Sequence, residues 1–313
     1  MAATLPDPQA RMLRDAVTQA GLSARWEELR ERALPAFSAE VTTGEADRPA
    51  GCRLGGRPAL PGPEHWPTRE GRALTFVGQL DLGGFPAADV GLPAEGLLAF
   101  FIGVDEPASD VDHEVRYFPD VKALRTCRPP VPEFVNDEQP DFPGCPLVLR
   151  PTVVLPESLL WLDLGTAGER LSDLLSPPVP GSEGRSRVGG HPSDHPGSPA
   201  HDAYLCSAGR KSILYDWHLP VEQVRADIDR LRREGRDDYA RILRSELPDL
   251  QWYADNEHRH ESEIAHWKVL FEVDSHEAAD MMWWDAGRLV FLIDDRDLAQ
   301  GRFDRTYAGI QTS

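Results

Sequence analysis

Arg53 and Arg187 each open a Gly-Gly-x-Pro turn, and Asp81 and Asp274 each close the apolar run that follows in the same half of the chain. A guanidinium can grip a carboxylate or phosphate through two parallel N–H donors, or simply pair with an acidic neighbour. Two aspartates brought together could share acid–base work, although capping the turn after a strand is their commoner use. Near the second glycine stand Trp283, Trp284 and Asp285. One tryptophan is expected in the core and the other, Trp284, in a groove or partner surface, where Trp is enriched. Arg53, Asp81, Arg187, Asp274, Trp284 and Asp285 are therefore the candidate ligand-binding residues.

The other motifs carry less. The turns Arg53-Leu54-Gly55-Gly56-Arg57-Pro58 and Arg187-Val188-Gly189-Gly190-His191-Pro192 resemble glycine loops that cradle phosphate. Such a loop needs a lysine and a helix opening on its last glycine, and Pro58 and Pro192 oppose that helix. The reading is a structural turn, with Gly55, Gly56, Gly189 and Gly190 supplying positive φ and Gly96 and Gly287 entering later strands. Gly209-Arg210-Lys211-Ser212 lacks the upstream glycine of a phosphate loop. His258 and His260 form the better of two histidine groups, as weak metal candidates only: His260-Glu261 lacks the second histidine of H-E-x-x-H. No Gly-x-Ser-x-Gly elbow accompanies a strand. Neither a metal nor a cofactor is expected.

With 52 acidic against 33 basic residues the net charge is −19, which repels nucleic acid and anionic lipid. No window approaches the roughly 18 apolar residues of a membrane helix, and no basic leader precedes an apolar core at the N-terminus. Four scattered cysteines without C-x-x-C spacing fit reduced thiols and a cytoplasmic protein.

Positioning these residues requires elements of two textures. Residues 8–33 and 221–247 have helical periodicity, the latter interrupted at Gly235, and 167–175 and 276–284 read as short helices. Residues 73–82, 96–104, 113–119, 146–156, 267–274, 287–295 and 303–313 read as strands. Their order repeats: glycine turn, strand ending in aspartate, glycine, aromatic strand. Phe76-Val77-Gly78-Gln79-Leu80-Asp81 precedes GLLAFFI (96–102), and Val269-Leu270-Phe271-Glu272-Val273-Asp274 precedes GRLVFLI (287–293). The expected fold class is α+β, an internal duplication of mostly antiparallel β units around a shared core. Residues 1–48 form an N-terminal helical segment packed on the body. The first αβ repeat covers 49–165. The second covers 166–313, with a Pro-rich loop at 176–201 and a helical insertion at 202–266, all within one compact domain.

GGRPALP with Trp66-Pro67, LTFVGQLDL, LPAEGLLAFFI and WDAGRLVFLI resemble the YwqG-like family of bacterial proteins of unknown function. The resemblance begins near residue 50, covers most of the remaining chain and implies an internally duplicated α+β fold. The sequence departs from that pattern at Glu272, where glutamine is usual, at His276, where an acid is frequent, and at Trp284, where glycine is frequent. The residues favour a non-catalytic binding or interaction protein that uses the cleft between its repeats for a small ligand or an unknown protein partner. A hydrolase or transferase at the repeat interface, and an immunity-type protein that neutralises a basic toxin, are the alternatives.

Overall fold

A computed structural model describes residues 5–42, 49–104, 106–138, 141–176, 186–195 and 197–312. The part of the Pro-rich loop at 177–185, with residue 196, lies outside the described residues.

Helices α1 (Asp7–Gln19) and α2 (Trp26–Arg32) come first. Strand β1 (Leu34–Val41) follows, so the segment 1–48, expected to be helical, also contributes a strand after its helices. Pro35 removes the N–H that a continuing helix would need, and β1 lies at the middle of the sheet. After it come β2 (Arg53–Leu54), β3 (Ala59–Leu60), β4 (Thr68–Arg69), β5 (Arg72–Ala73), β6 (Thr75–Asp81), β7 (Leu97–Ile102), β8 (His113–Phe118), β9 (Arg125–Thr126) and β10 (Cys145–Val154). Then follow α3 (Thr166–Leu175) and β11 (Arg187–Gly189). The helical insertion is α4 (Pro199–Ser207), α5 (Val221–Arg233), α6 (Asp237–Asp255) and α7 (Glu257–Ile264). The chain ends with β12 (Trp267–Asp274), β13 (Arg288–Asp294), α8 (Asp295–Leu298) and β14 (Thr306–Gln311). In place of a helix over 276–284 there is only a 3₁₀ turn at Glu277–Ala279. His276 and Met281 bridge across it, and Asp280 takes a left-handed φ of 52° that ends any helix.

The large sheet is antiparallel throughout, in the order β14-β13-β12-β11-β1-β10-β2-β6-β7-β8. It curls until its edges nearly meet. Val111, just before β8, donates its N–H to Ala308 of β14 at 2.9 Å, and His113 Nε2 lies 3.1 Å from Thr306 Oγ1. Curling demands local twist, and the registers of β6–β7 and β12–β13 each carry an irregularity, at Phe76/Gly78 and at Val269/Phe271.

Burial follows the two-residue period of the strands. From β7, Leu98, Phe100 and Ile102 point into the curl; from β13, Leu289, Phe291 and Ile293 do the same. The alternate residues face outward and are also covered. Leu97, Ala99 and Phe101 pack under Trp66 and the β3 region, while Val290 and Leu292 pack under α4–α7. Helices α1–α3 cover Val153 of β10. Two covered faces explain why LLAFFI and LVFLI are apolar without alternation.

Both glycine pairs adopt left-handed φ: 55° and 71° at Gly55 and Gly56, 79° and 86° at Gly189 and Gly190. At Gly55 a side chain is barred twice over, since an added Cβ would lie 2.2 Å from the Pro143 carbonyl oxygen. Gly55→Ala is expected to lower stability by about 3 kcal/mol or more. Gly235→Ala, left-handed at φ 73° but in open space, should cost only about 1 kcal/mol. Urea denaturation of both variants checks the contrast.

The insertion is fastened to the edges of the curl by Asp202 of α4. Its Oδ2 accepts from Ser109 Oγ at 2.6 Å and from the Tyr307 hydroxyl at 3.5 Å. Lys211 pairs with the adjacent Asp110. Burial raises the Asp202 carboxyl from its ordinary 3.8 to about 6, against the pull of these hydrogen bonds. The folded state therefore binds more protons than the unfolded state between these values, so this group's contribution to stability falls as pH rises from about 4 to 6. Asp202→Asn is expected to gain on the order of 1–3 kcal/mol relative to wild type at pH 7.5 and nothing at pH 4, measured by urea denaturation.

Candidate functional site

In β11 and β12, Arg187 and Glu272 are Cα partners. Arg187 donates through Nε to Glu272 Oε1 at 3.1 Å and through Nη2 to Oε2 at 2.8 Å, a bidentate fork. Arg288, at the start of β13, adds Nη1 to Oε1 at 3.2 Å and reaches Asp274 Oδ1 at 3.6 Å. The Glu272 side chain is 3% exposed, so two cations share one buried carboxylate. Burial alone would raise Glu272, but the charges and hydrogen bonds of Arg187 and Arg288 outweigh it and hold the carboxyl below its ordinary 4.5. Arg187 Nη1 is buried and has no partner among the described residues.

This triad lies in the floor of a cleft of about 430 Å³. The cleft runs along the β1–β10 pair, where Ser38 stands opposite Arg150, and Glu40 and Thr152 line it on either side of that pair. Arg150 Nε donates to Glu40 Oε2 at 2.9 Å. Leu175 of α3, Leu160 and the half-exposed Trp161 give it apolar walls. Ser176 and Ser186, the described residues that bound 177–185, both line it. The cleft also contains His191, whose Nε2 donates to the Arg32 carbonyl at 2.7 Å. Burial lowers its pKa to about 4, so the ring is neutral near pH 7.

The sequence-derived candidates do not gather at one point. Arg187 is in the floor of the cleft, and Asp274 reaches the same triad through Arg288. Arg53, the Cα partner of Gln79, has another task. Its Nη2 donates to the carbonyls of Pro49 at 2.6 Å and Arg57 at 2.7 Å, while Gln79 Nε2 donates to those of Pro49 and Gly51. These bonds pin the loop around the first glycine turn. Asp81 lies beside Gly83 and Gly84, and its N–H donates to Cys52 Sγ at 3.2 Å. Trp283 is in the core, 5.7 Å from the Phe142 ring, whereas Trp284 is 48% exposed and Asp285 is exposed in the same turn. His258 is exposed on α7. His260 donates through Nε2 to Tyr253 O, accepts from the Tyr204 hydroxyl at Nδ1, and stacks on the Tyr253 ring at 3.9 Å. Both its nitrogens are engaged in packing the insertion.

Two residues of the triad were missing from the candidates. Glu272 was noted only as a departure from glutamine, and Arg288 was passed over. The signal was available in the paired strands: Arg288 stands opposite Asp274 in register as Leu97 stands opposite Asp81. A carboxylate at 272 and a cation at 288 belong together, because a buried charge must be matched. Among the described residues, His266, Asp294 and Asp295 bring ligand atoms within 4.8 Å of one another. Asp294 there already caps α8 and holds Arg296, and His266 pairs with Asp295 at 2.9 Å.

Glu272→Gln leaves the Arg187 guanidinium without its counter-charge and takes from Arg288 one of the two carboxylates it holds, and it is expected to destabilise the fold by about 3–5 kcal/mol at pH 7. The depressed carboxyl contributes stability that is present above the ordinary 4.5 and is lost as pH falls through its lower folded value. The gap between wild type and variant in urea denaturation should therefore narrow below about pH 4.5.

Comparison with known proteins returns no match among curated proteins. The model of the domain of unknown function DUF1963 matches residues 52–311, and the chain, with its antiparallel curled sheet and buried Arg–Glu–Arg floor, belongs to that family.

Proposed function

We propose that this protein is a non-catalytic binding protein, of YwqG-like type, that receives a small ligand in the cleft along β1–β10. The observation carrying the reading is the cleft floor: a buried carboxylate holds Arg187 and Arg288 in fixed orientation beneath a cavity of about 430 Å³. Preorganised donors on strands, apolar walls and several hydroxyls are the usual make-up of a small-molecule site. The lining is poorly suited to hydrolysis or group transfer. His191 donates to a carbonyl and is a weak base with a pKa of about 4, and Ser186 Oγ accepts the Asp274 N–H.

The proposal extends to the architecture. The strand order reads alike from both ends, with β2 and β11, β6 and β12, β7 and β13, and β8 and β14 flanking the central β1–β10 pair. The register irregularities fall at corresponding places, and so do the left-handed glycine pairs. These features support an internal duplication in which the second copy acquired charge and the first kept Gln79 in a loop-holding role. The helical insertion and Pro-rich loop then belong to the second copy, and the cleft follows the seam between copies. Four free cysteines support a reducing, cytoplasmic setting. Among the described residues no helix is long and apolar enough to cross a membrane.

The test is a thermal-shift screen of the full chain against carboxylic acids, amines, nucleotides and sugars. A ligand at about 100 times its Kd adds about 2.7 kcal/mol, a shift of a few degrees for a chain of this size. At least one class should stabilise wild type and lose its effect in Ser172→Trp, which fills the cleft from α3. No stabilising compound, or turnover of ester or phosphoester substrates that Ser172→Trp abolishes, overturns the reading. Stoichiometric capture of a basic protein with no small-ligand binding would support the immunity-type alternative instead.

A further inference from the structure

Trp161 lines the β1–β10 cleft and yet is 51% exposed. It is carried on one π-helical turn, Leu159–Asp163, closed by Leu164 N donating to Leu159 O at 3.2 Å. Such turns are rare and concentrate at functional sites. A large aromatic face left open to water in a concave site offers a platform for a flat ligand surface.

The ionic groups of the cleft are already engaged. Arg150, Arg187 and Arg288 line it together with Glu40, Glu157 and Glu272. Arg187 and Arg288 share Glu272, and Arg150 Nε holds Glu40. Glu157 adds its charge to that of Glu272 on Arg288. A ligand of either net charge competes with a pair already formed, and parting a buried pair is costly. The lining therefore suits a neutral ligand.

What the walls leave unused is a mixture of donors and acceptors. The Arg150 side chain is 63% exposed, and only its Nε is bonded among the described residues. Glu40 likewise uses one oxygen, Oε2, for that bond. Ser38 is the Cα partner of Arg150 on one side and of Arg187 on the other, so a small side chain leaves a notch between two long ones. From α3 and its cap, Ser172 and Ser176 line the cleft one helical turn apart. A guanidinium donates, a carboxylate accepts, and a hydroxyl does both. A sugar matches this set: its adjacent hydroxyls are donors and acceptors at once, and the C–H face of a pyranose ring lies flat on an indole. Resting on the binding role argued above, we propose that the cleft takes a neutral mono- or disaccharide. One ring face stacks on Trp161, and the hydroxyls bond to Arg150, Glu40 and the serines of α3. The binding is non-covalent.

Isothermal titration of the full chain at pH 7.5 with glucose, galactose, N-acetylglucosamine, maltose and lactose tests the proposal, with glucuronate, glucosamine and cyclohexanol as charged and apolar controls. At least one neutral sugar should bind at one site with Kd of about 1 mM or tighter, and the controls should bind about tenfold more weakly or not at all. Trp161→Ala should weaken the sugar about tenfold. Arg150→Ala, at an exposed position where folding is not at stake, should weaken it about threefold or more. Ser172→Trp should abolish binding. The proposal is overturned if no sugar of the set binds the folded wild type, or if a control binds as tightly as every neutral sugar. Sugar binding unchanged in both Trp161→Ala and Arg150→Ala overturns it as well. If no sugar binds but another compound stabilises the chain and Ser172→Trp abolishes that effect, the saccharide falls and the binding role stands. Absence of any ligand overturns both.

Discussion

Inside the curl of the sheet, the ring of Phe100 lies 5.1 Å from Phe271 and 5.0 Å from Phe291. Phe100 belongs to β7, near one end of the strand order, and its partners belong to β12 and β13, near the other. Bringing these rings together is what curls a ten-stranded sheet on itself. The layers outside follow from that curvature. A sheet closed around apolar residues also carries apolar residues on its outer face, since LLAFFI and LVFLI have no polar alternates. The insertion α4–α7, the helices α1–α3 and the segment around Trp66 each cover one part of that outer surface.

The same geometry explains why one half has a charged floor and the other does not. Gln79 and Glu272 each pair with an arginine across a short strand. Gln79 is neutral, and it spends its amide on the carbonyls of the neighbouring loop, so Arg53 turns to carbonyls as well. Glu272 is a carboxylate that cannot donate to a carbonyl. It draws in Arg187 and Arg288 and leaves a rigid ionic floor under the cleft.

Much of the framework was legible before any coordinates. The glycine pairs are left-handed turns because the prolines after them exclude a helix, and that conclusion needed only residue types. The longer strands and the break at Gly235 follow from periodicity and residue type, and the bulk of Trp283 and Trp284 places at least one of them in the core. Two local readings gave way to context. Residues 34–41 sit in the centre of the sheet, although their sequence adjoins two helices, because central position is set by partners far along the chain. Residues 276–284 have helical composition, yet the His276–Met281 bridge and the left-handed Asp280 hold them as a tight loop.

The candidate site divides along the same line. The sequence by itself determined that a short glycine motif occurs twice, that Arg187 opens the second occurrence, and that Asp274 closes the apolar run after it. Only the tertiary structure decided that Arg288 joins Glu272 and that Arg53 serves a loop. The reason is physical. Strand register sets Arg187 directly beside Glu272, 85 positions away, and brings Arg288, 16 positions away, within reach of Glu272 on the diagonal. Composition and spacing constrain such pairings, but burial of a charge selects among them.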